Sequence, residues 1–326
     1  MEIIKHTNLK LLRNSWTDLY NSNAFLNPLQ SFDFFETYYK NTRIPIKSFK
    51  QKLEIYEVVD NQKTQLILPL IKKTNTYQSV DTLDYYDIVY NHNIEDKTLL
   101  RYLNAIKTYI NKPIIFNHIS ESSKLYNLLK SQNIKILDSV ECAKINISNS
   151  YDEYYNSLSK STRQNIRTAY NRLNKDLNNP KIELQITTGQ INVKLINKLK
   201  VLYLKRKATK NKGFISKVKC ILKRFYEPVS KTCGSLEDGF TSILFINNQI
   251  ASFMQGLKSK DTTIIIPRLV LNDKFARYST GILLINETIK RLINENISNC
   301  LDLAIGNENY KFVMGGVSHI NYNFEY

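Results

Sequence analysis

The 326-residue sequence predicts an α/β protein, α+β in the layout of its strands, built from two similar units in tandem. Three observations predict it. The chain is longer than one hydrophobic core usually fills. Its hydrophobic share of 42%, with 21 Tyr and 14 Phe, is enough for two cores. And one pattern of elements occurs twice at a constant spacing.

The repeated pattern begins with a hairpin. LEIYEVVDNQKTQLILPLIKK (53–73) reads as strand, polar turn, strand, and so does TSILFINNQIASFMQGLK (241–258). Asn61 and Asn248 mark the two turns, 187 residues apart. The same shift carries the helical stretch 95–110 onto 282–297 and the strand 113–119 onto 300–306. The units are placed at 1–140 and 141–326. At the start of the second, Ile166, Ala169, Leu173 and Leu177 recur at helix spacing. Ser159 or Ser161 caps that helix, and Asn178, Asn179 and Pro180 end it. A second amphipathic helix follows with Leu195, Leu199 and Leu202 as its buried stripe, then a third over ISKVKCILKRFYEPV (215–229).

Charge and glycine both point to the second unit. Of the net charge of +17, residues 1–150 supply +4 and residues 151–326 supply +13. Between Glu183 and Glu227 there are 12 Lys and Arg and no acid, a stretch that attracts phosphates, nucleic acid or an acidic surface, or is simply a solvated helical face. All nine glycines lie from Gly189 onward. Loops that wrap phosphates use glycine so that backbone N–H groups can approach the ligand, so a nucleotide-type cofactor is expected in the second unit.

Several classes are set aside. Cys142, Cys220, Cys233 and Cys300 form no C-x-x-C pair and the four His are dispersed, so no metal site is expected and the thiols read as free. The N-terminal residues lack the apolar run of a secretion signal, and no stretch of about 18 apolar residues occurs. A cytoplasmic protein without a transmembrane segment is the expectation.

Two stretches carry candidate chemistry. In NDKFARYSTGILLINETIKRL (272–292), Ser279, Thr280 and Gly281 open a helix beside Arg277 and Lys274. Free N–H groups at a helix start hold anions, although the same residues also serve as ordinary capping. In LDLAIGNENYKFVMGG (301–316), Asp302 falls inside an apolar strand, which is costly unless the carboxylate is bonded or used. Gly306 breaks the strand, and Glu308, Tyr310 and Lys311 follow. Tyr310 can protonate a leaving group and Glu308 or Asp302 can orient or deprotonate a nucleophile; the plain alternative is an Asp satisfied by backbone and a Tyr that packs.

The order of hairpin, strand, small-residue loop with Gly, helix, then D-x-x-x-G-x-x-x-Y-K resembles GNAT-superfamily acyltransferases. It looks most like the tandem-domain kind associated with cellulose and exopolysaccharide biosynthesis, and covers residues 145–315. Ser157, Leu158, Ser159, Arg163 and Arg167 match the helix that opens that family's catalytic domain. Thr280 stands where the family usually has proline, and the fuller pyrophosphate signature of classical members is absent. The resemblance implies two acyl-CoA N-acyltransferase-like units, each a mixed, mainly antiparallel sheet flanked by helices, the first degenerate and the second catalytic. It implies acetyl-CoA or another acyl-CoA as co-substrate and no metal. The pantetheine would lie beside strand 262–271 with Arg268, and the pyrophosphate on Ser279, Thr280 and Gly281 with Arg277. Tyr310, Asp302 and Glu308 would be catalytic. Arg163, Arg167, Arg206, Lys207 and Lys311 would face an amine or hydroxyl acceptor, a sugar or sugar nucleotide in surface-polysaccharide metabolism.

Two rival readings remain. A Fem-type aminoacyl-tRNA-dependent transferase shares the duplicated fold and needs a basic surface, which 194–224 supplies, but residues 190–232 are short for its helical arm. A non-catalytic nucleic-acid binder would use tyrosines beside Lys and Arg, as in VLYLKRK, but shows no recognised binding signature.

Overall fold

Asn61 and Gln62, and again Asn247 and Asn248, sit in the left-handed region, with φ between 49° and 60°. Two such residues in a row make the tight turn that matches the twist of a hairpin, and Asn tolerates this conformation best after Gly. The two expected hairpins therefore form as read. The computed structural model describes residues 1–42, 52–80, 84–210 and 228–326. Most of the helix expected over 215–229 lies outside the described residues, as does Cys220.

The chain divides into unit 1, residues 1–141 with 319–326, and unit 2, residues 142–318. Unit 1 contains β1 (Glu2–His6), α1 (Arg13–Ser22), α2 (Phe32–Thr42), β2 (Lys52–Asp60), β3 (Lys63–Lys72), β4 (Tyr77–Ser79), β5 (Val89–Tyr90), α3 (Asp96–Ile110), β6 (Ile114–Ser120) and α4 (Lys124–Ser131). β7 (Lys135–Asn146) then leads into unit 2. The strand order in unit 1 is β1-β2-β3-β4-β6, closed by β13 (Val317–Glu325). Most of β13 belongs here because it pairs antiparallel with β6, Phe324 opposite Phe116, and both rings are fully buried. The last eight residues, expected in the second unit, are thus part of the first. Trp16, Phe32, Leu68, Leu103 and Phe116 lie in the core of unit 1.

Unit 2 contains α5 (Tyr151–Ser157), α6 (Lys160–Leu177), β8 (Ile182–Thr188), α7 (Val193–Lys210), α8 (Pro228–Ser235), β9 (Gly239–Ile246), β10 (Gln249–Lys258), β11 (Ile264–Leu271), α9 (Thr280–Asn294), β12 (Cys300–Ile305) and α10 (Asn309–Val313). Its strand order is β7-β12-β11-β10-β9-β8. Ser159 caps α6 by accepting the N–H of Thr162, and left-handed Asn178 ends it. The sequence reading did not separate α5, which Ser150 caps through the N–H of Glu153. Phe240, Met254, Leu284 and Leu301 build the core beneath α6 and α9, while Leu199, Ile243, Phe253 and Val270 pack under α7. Each such side chain contributes about 1.5–3 kcal/mol on burial, enough for the flanking Leu301 and Leu303 to hold Asp302 inside a strand.

The repeat extends to hydrogen-bond register. In unit 1, β4 and β6 run parallel with Tyr77 opposite Ile114 and Gln78 opposite Ile115. In unit 2, β11 and β12 run parallel with Ile264 opposite Leu301 and Ile265 opposite Asp302. Every one of these partners is shifted by the same 187 residues. Apart from a parallel bridge between Tyr86 and Ile119, the other strand pairs within each unit's sheet are antiparallel among the described residues.

Candidate functional site

The parallel pair β11–β12 is where unit 2 opens. β11 continues to Leu271 and remains paired with β10 to that point, but its pairing with β12 stops at Ile265. Each strand carries one extra residue against its outer neighbour just beyond that point. Three steps on β11 (Ile265 to Arg268) face two on β10, and three on β12 (Asp302 to Ile305) face two on β7. Such bulges bend a strand and break its ladder. Pro267 lies in the first bulge, where a missing N–H does no harm. From Ile266 onward, one side of β11 presents peptide groups with no strand partner among the described residues. An open edge of this kind accepts an extended ligand by main-chain pairing.

At the second bulge Ala304 is left-handed, φ 56°, an uncommon state for alanine. Two side chains hold it there. Asp302, 8% exposed, accepts the Ala304 N–H at 2.7 Å. Lys311, 2% exposed, donates to the carbonyls of Ala304 at 3.1 Å and Ile305 at 2.7 Å. Glu308, exposed at the start of α10, balances that ammonium at 3.2 Å. Its carboxylate folds over Gly306, whose φ of 123° and missing Cβ make room for it. Tyr310 is half-buried against the core, and burial, then the charge of Glu308, pushes its phenol well above the ordinary tyrosine range. Its hydroxyl makes no hydrogen bond among the described residues. Asp302, Glu308 and Lys311 are therefore brought together around the end of β12, with Tyr310 on the same short helix.

The start of α9 stands beside the end of β11. A Cβ on Gly281 would lie 2.9 Å from the end of the Leu271 side chain, so helix and strand approach closely here. Thr280 is buried, its carbonyl accepting from the Ser252 hydroxyl at 2.8 Å. Ser279 is exposed and left-handed, φ 50°, and its side chain caps nothing. The N–H groups of Ile282 and Leu283 bond to the Ser279 carbonyl, whereas those of Thr280 and Gly281 have no backbone acceptor among the described residues. Two donors at a helix start suit a phosphate oxygen.

The expected basic residues are mostly engaged within the protein. Arg163 donates to the carbonyls of Asn156 and Leu158, closing the end of α5. Arg167 bonds to Gln164 at 3.0 Å. Arg277 pairs with Asp176 at 2.6 Å, and Arg206 pairs with Asp273. Arg268 turns to the α7 face of β11 and stacks on the Tyr203 ring at 3.8 Å; Lys207 reaches the Tyr203 hydroxyl at 3.3 Å. The sequence reading places Tyr203 only among the tyrosines beside Lys and Arg, and Gly256 escapes it. Gly256 faces the β11 bulge, and a Cβ there would overlap the Ile265 carbonyl oxygen. An isolated glycine inside a strand pattern was the available signal.

A cavity of about 360 Å³ lined by Glu183, Leu184, Gln185, Phe245 and Asn248 lies on β8 and β9, at the far edge of the sheet from this opening. It holds no acid–base pair, and the geometry favours the opening. No group of three or more metal-ligating side chains occurs among the described residues. None of the described helices is long and apolar enough to cross a membrane.

Residues 160–312 match the sequence model of a family described as acetyltransferase (GNAT) domain. FemX superposes with a TM-score of 0.62 at 11% identity, covering 100% of this chain and 97% of its own. L-PGS from Bacillus licheniformis gives 0.55 at 11% identity, covering 85% and 84%. A tandem GNAT protein from the clavulanic acid biosynthesis pathway gives 0.51 at 9% identity, covering 99% and 98%. The architecture is a tandem GNAT fold. No curated protein matches the chain. Within the tandem GNAT fold, the matched stretch contains every candidate residue from Arg163 to Lys311, and unit 1 lies outside it.

Proposed function

We propose that unit 2 is an acyltransferase that takes an acyl group from acyl-CoA and passes it directly to an amine or hydroxyl. The observation that carries this reading is the opening between β11 and β12, where among the described residues the edge of β11 has no strand partner and two N–H groups at the start of α9 have no backbone acceptor. The residues present fit the cofactor: an extended arm finds main-chain partners along β11, and a pyrophosphate finds Thr280 and Gly281 beside Ser279. Bound acyl-CoA supplies the thioester. Arg268 borders its path from the α7 side.

The roles of the side chains follow from their surroundings. Tyr310, held neutral, donates a hydrogen bond to the departing sulfur. Glu308 has solvent access and takes the acceptor's proton. Asp302 and Lys311 fix the strand end against which both work. Lys207, beside Tyr203, meets an anionic group of the acceptor. The sugar or sugar-nucleotide acceptor belongs to this proposal as the sequence resemblance implies it.

A second reading keeps the chemistry but draws the acyl group from aminoacyl-tRNA, as the notion of a Fem-type enzyme requires. The acid-free basic stretch between Glu183 and Glu227 favours it. One experiment separates the two. Calorimetric titration with acetyl-CoA should show micromolar binding that Ser279→Asp removes, because the added carboxylate repels phosphate while leaving the helix stable. Absence of binding, together with salt-dependent retention of aminoacyl-tRNA, would replace the first reading by the second.

A further inference from the structure

The cavity of about 360 Å³ in unit 2 is built on β8, the outermost strand, and on the β9–β10 hairpin. Glu183 lies opposite Phe245 and Gln185 opposite Ile243. Glu183, Gln185 and Phe245 therefore project from one side of the sheet, the side on which α7 packs. Phe245 is half-buried there, and Asn248, left-handed at φ 60°, stands in the hairpin turn. Leu184 takes part differently. Its side chain packs into the core on the opposite side, so it lines the cavity with main chain. The Asn247 N–H bonds to the Lys181 carbonyl and the Gly189 N–H to the Gly239 carbonyl, so the odd-numbered residues of β8 bond to β9. The Leu184 N–H and carbonyl face outward instead, where β8 has no strand partner among the described residues.

These groups select by chemistry. The one carboxylate, Glu183, is already neutralised by Lys181 at 2.6 Å. An organic cation gains little there, because α7 on the same side carries Lys194, Lys198 and Lys205 and no acid. An anion finds no cation among the lining residues. What remains is an aromatic ring, two amide side chains that each donate and accept, and an outward peptide group. A pyranose matches that set. Its C–H face carries the slight positive charge that an aromatic face attracts, and its hydroxyls both donate and accept. The volume is at the small end of the range of about 300–1,000 Å³ for small-molecule sites, which suits a single sugar unit. We infer that the β8–β9 edge of unit 2 is a binding site for a neutral saccharide, three strands away from β11. With no acid–base pair in it, the site holds a sugar without transforming it. The inference goes beyond the acyl-CoA reading and stands without it, since the two sites share no residue.

The chain offers a direct probe, because Glu183–Leu184 is its sole Glu–Leu step. Labelling the glutamate carbonyl carbon and the leucine amide nitrogen gives a single correlation that reports on the outward Leu184 N–H. The protein is titrated with methyl glycosides of glucose, galactose and N-acetylglucosamine, and with glycerol as the control polyol. At least one glycoside should shift the correlation saturably, and glycerol should not. Phe245→Leu and Gln185→Ala should each weaken that binding several-fold. The Gln185 side chain is exposed, so its variant serves if Phe245→Leu does not fold. Unchanged binding in both variants, no saturable shift with any glycoside, or an equal shift with glycerol would each overturn the inference. So would a correlation that moves with protein concentration alone, which would assign the free edge of β8 to a second copy of the chain. Calorimetric binding of acetyl-CoA by a protein that binds no glycoside here would overturn this inference and leave the acyl-CoA reading standing.

Discussion

Asp302 and Lys311 hold the same residue from opposite sides: one accepts the N–H of Ala304 and the other donates to its carbonyl. The pair makes a left-handed alanine tolerable at the point where β12 leaves β11. It also separates two uses of a buried aspartate, because asparagine can accept the same N–H. Asp302→Asn should unfold in urea within about 1 kcal/mol of wild type, while Asp302→Ala, which strands a buried donor, should lose about 1–3 kcal/mol. Equal losses in the two variants would show that the negative charge, and not the hydrogen bond, is what the strand end requires.

Tyr310 is expected to act as a donor that keeps its proton. Burial is the first cause of its raised pKa and the carboxylate of Glu308 the second, so the folded state favours the neutral phenol. The sign follows. The stabilisation is complete below the ordinary tyrosine pKa of about 10 and fades as pH climbs from there toward the folded value. Phenolate absorbance, referenced to Tyr310→Phe, should show this tyrosine titrating late, and Glu308→Gln should bring it part of the way back. Tyr310→Phe should slow transfer by about 10²-fold or more. Wild-type rates in that variant would take Tyr310 out of the reaction.

Two glycines near the opening should respond in opposite ways. A Cβ on Gly256 would collide with the Ile265 carbonyl, which belongs to the backbone at the β11 bulge and cannot give way. Gly256→Ala should cost about 3 kcal/mol and abolish acyl-donor binding. A Cβ on Gly281 meets the movable end of Leu271 at 2.9 Å, and alanine is about 1 kcal/mol the better helix former. Gly281→Ala should therefore stay within about 1 kcal/mol of wild type. Melting temperatures of the two variants check the order, and a reversed order would mean that the β11 bulge does not set the opening.

The repeat was legible because its cues are local. Asn61 and Asn248 announce turns by their own backbone preference, and a parallel pair of apolar strands reads the same in either unit. The residues of the site were legible as types but not as partners. Nothing in the sequence near Arg163 says that its guanidinium closes α5, nor near Arg277 that Asp176 lies beside it. Those contacts join residues from different elements, and a charged side chain looks equally available until its neighbour is placed. Pro69 and Pro267 carried more than was read from them. Pro69 faces Ile55 on β2, and on its other side it falls between the pairs β3 makes with β4 and β5. Pro267 falls where β11 has lost β12. A proline inside an apolar strand marks a side without a ladder.

Asp87 offers a test of residues 84–90, which bridge to β6 at Tyr86 and pair with β3 at Val89 and Tyr90. Its carboxylate accepts the N–H groups of Ile88, at 2.8 Å, and Leu125 at the start of α4. Burial outweighs both bonds and pushes its pKa up to about 7. The unfolded chain holds this group near 3.9, so its folded form prefers the proton. Its contribution to stability is complete below about pH 4, declines as pH rises, and is gone above about pH 7. Asp87→Asn keeps an oxygen for one of the N–H groups and carries no charge at any pH. The variant should match wild type near pH 4 and be the more stable of the two at pH 8, the difference growing between about pH 4 and pH 7. Urea unfolding at a series of pH values measures it. Parallel stability curves for the two proteins would mean that Asp87 ionises freely in the folded state and that solvent reaches the packing of residues 84–90 against β6.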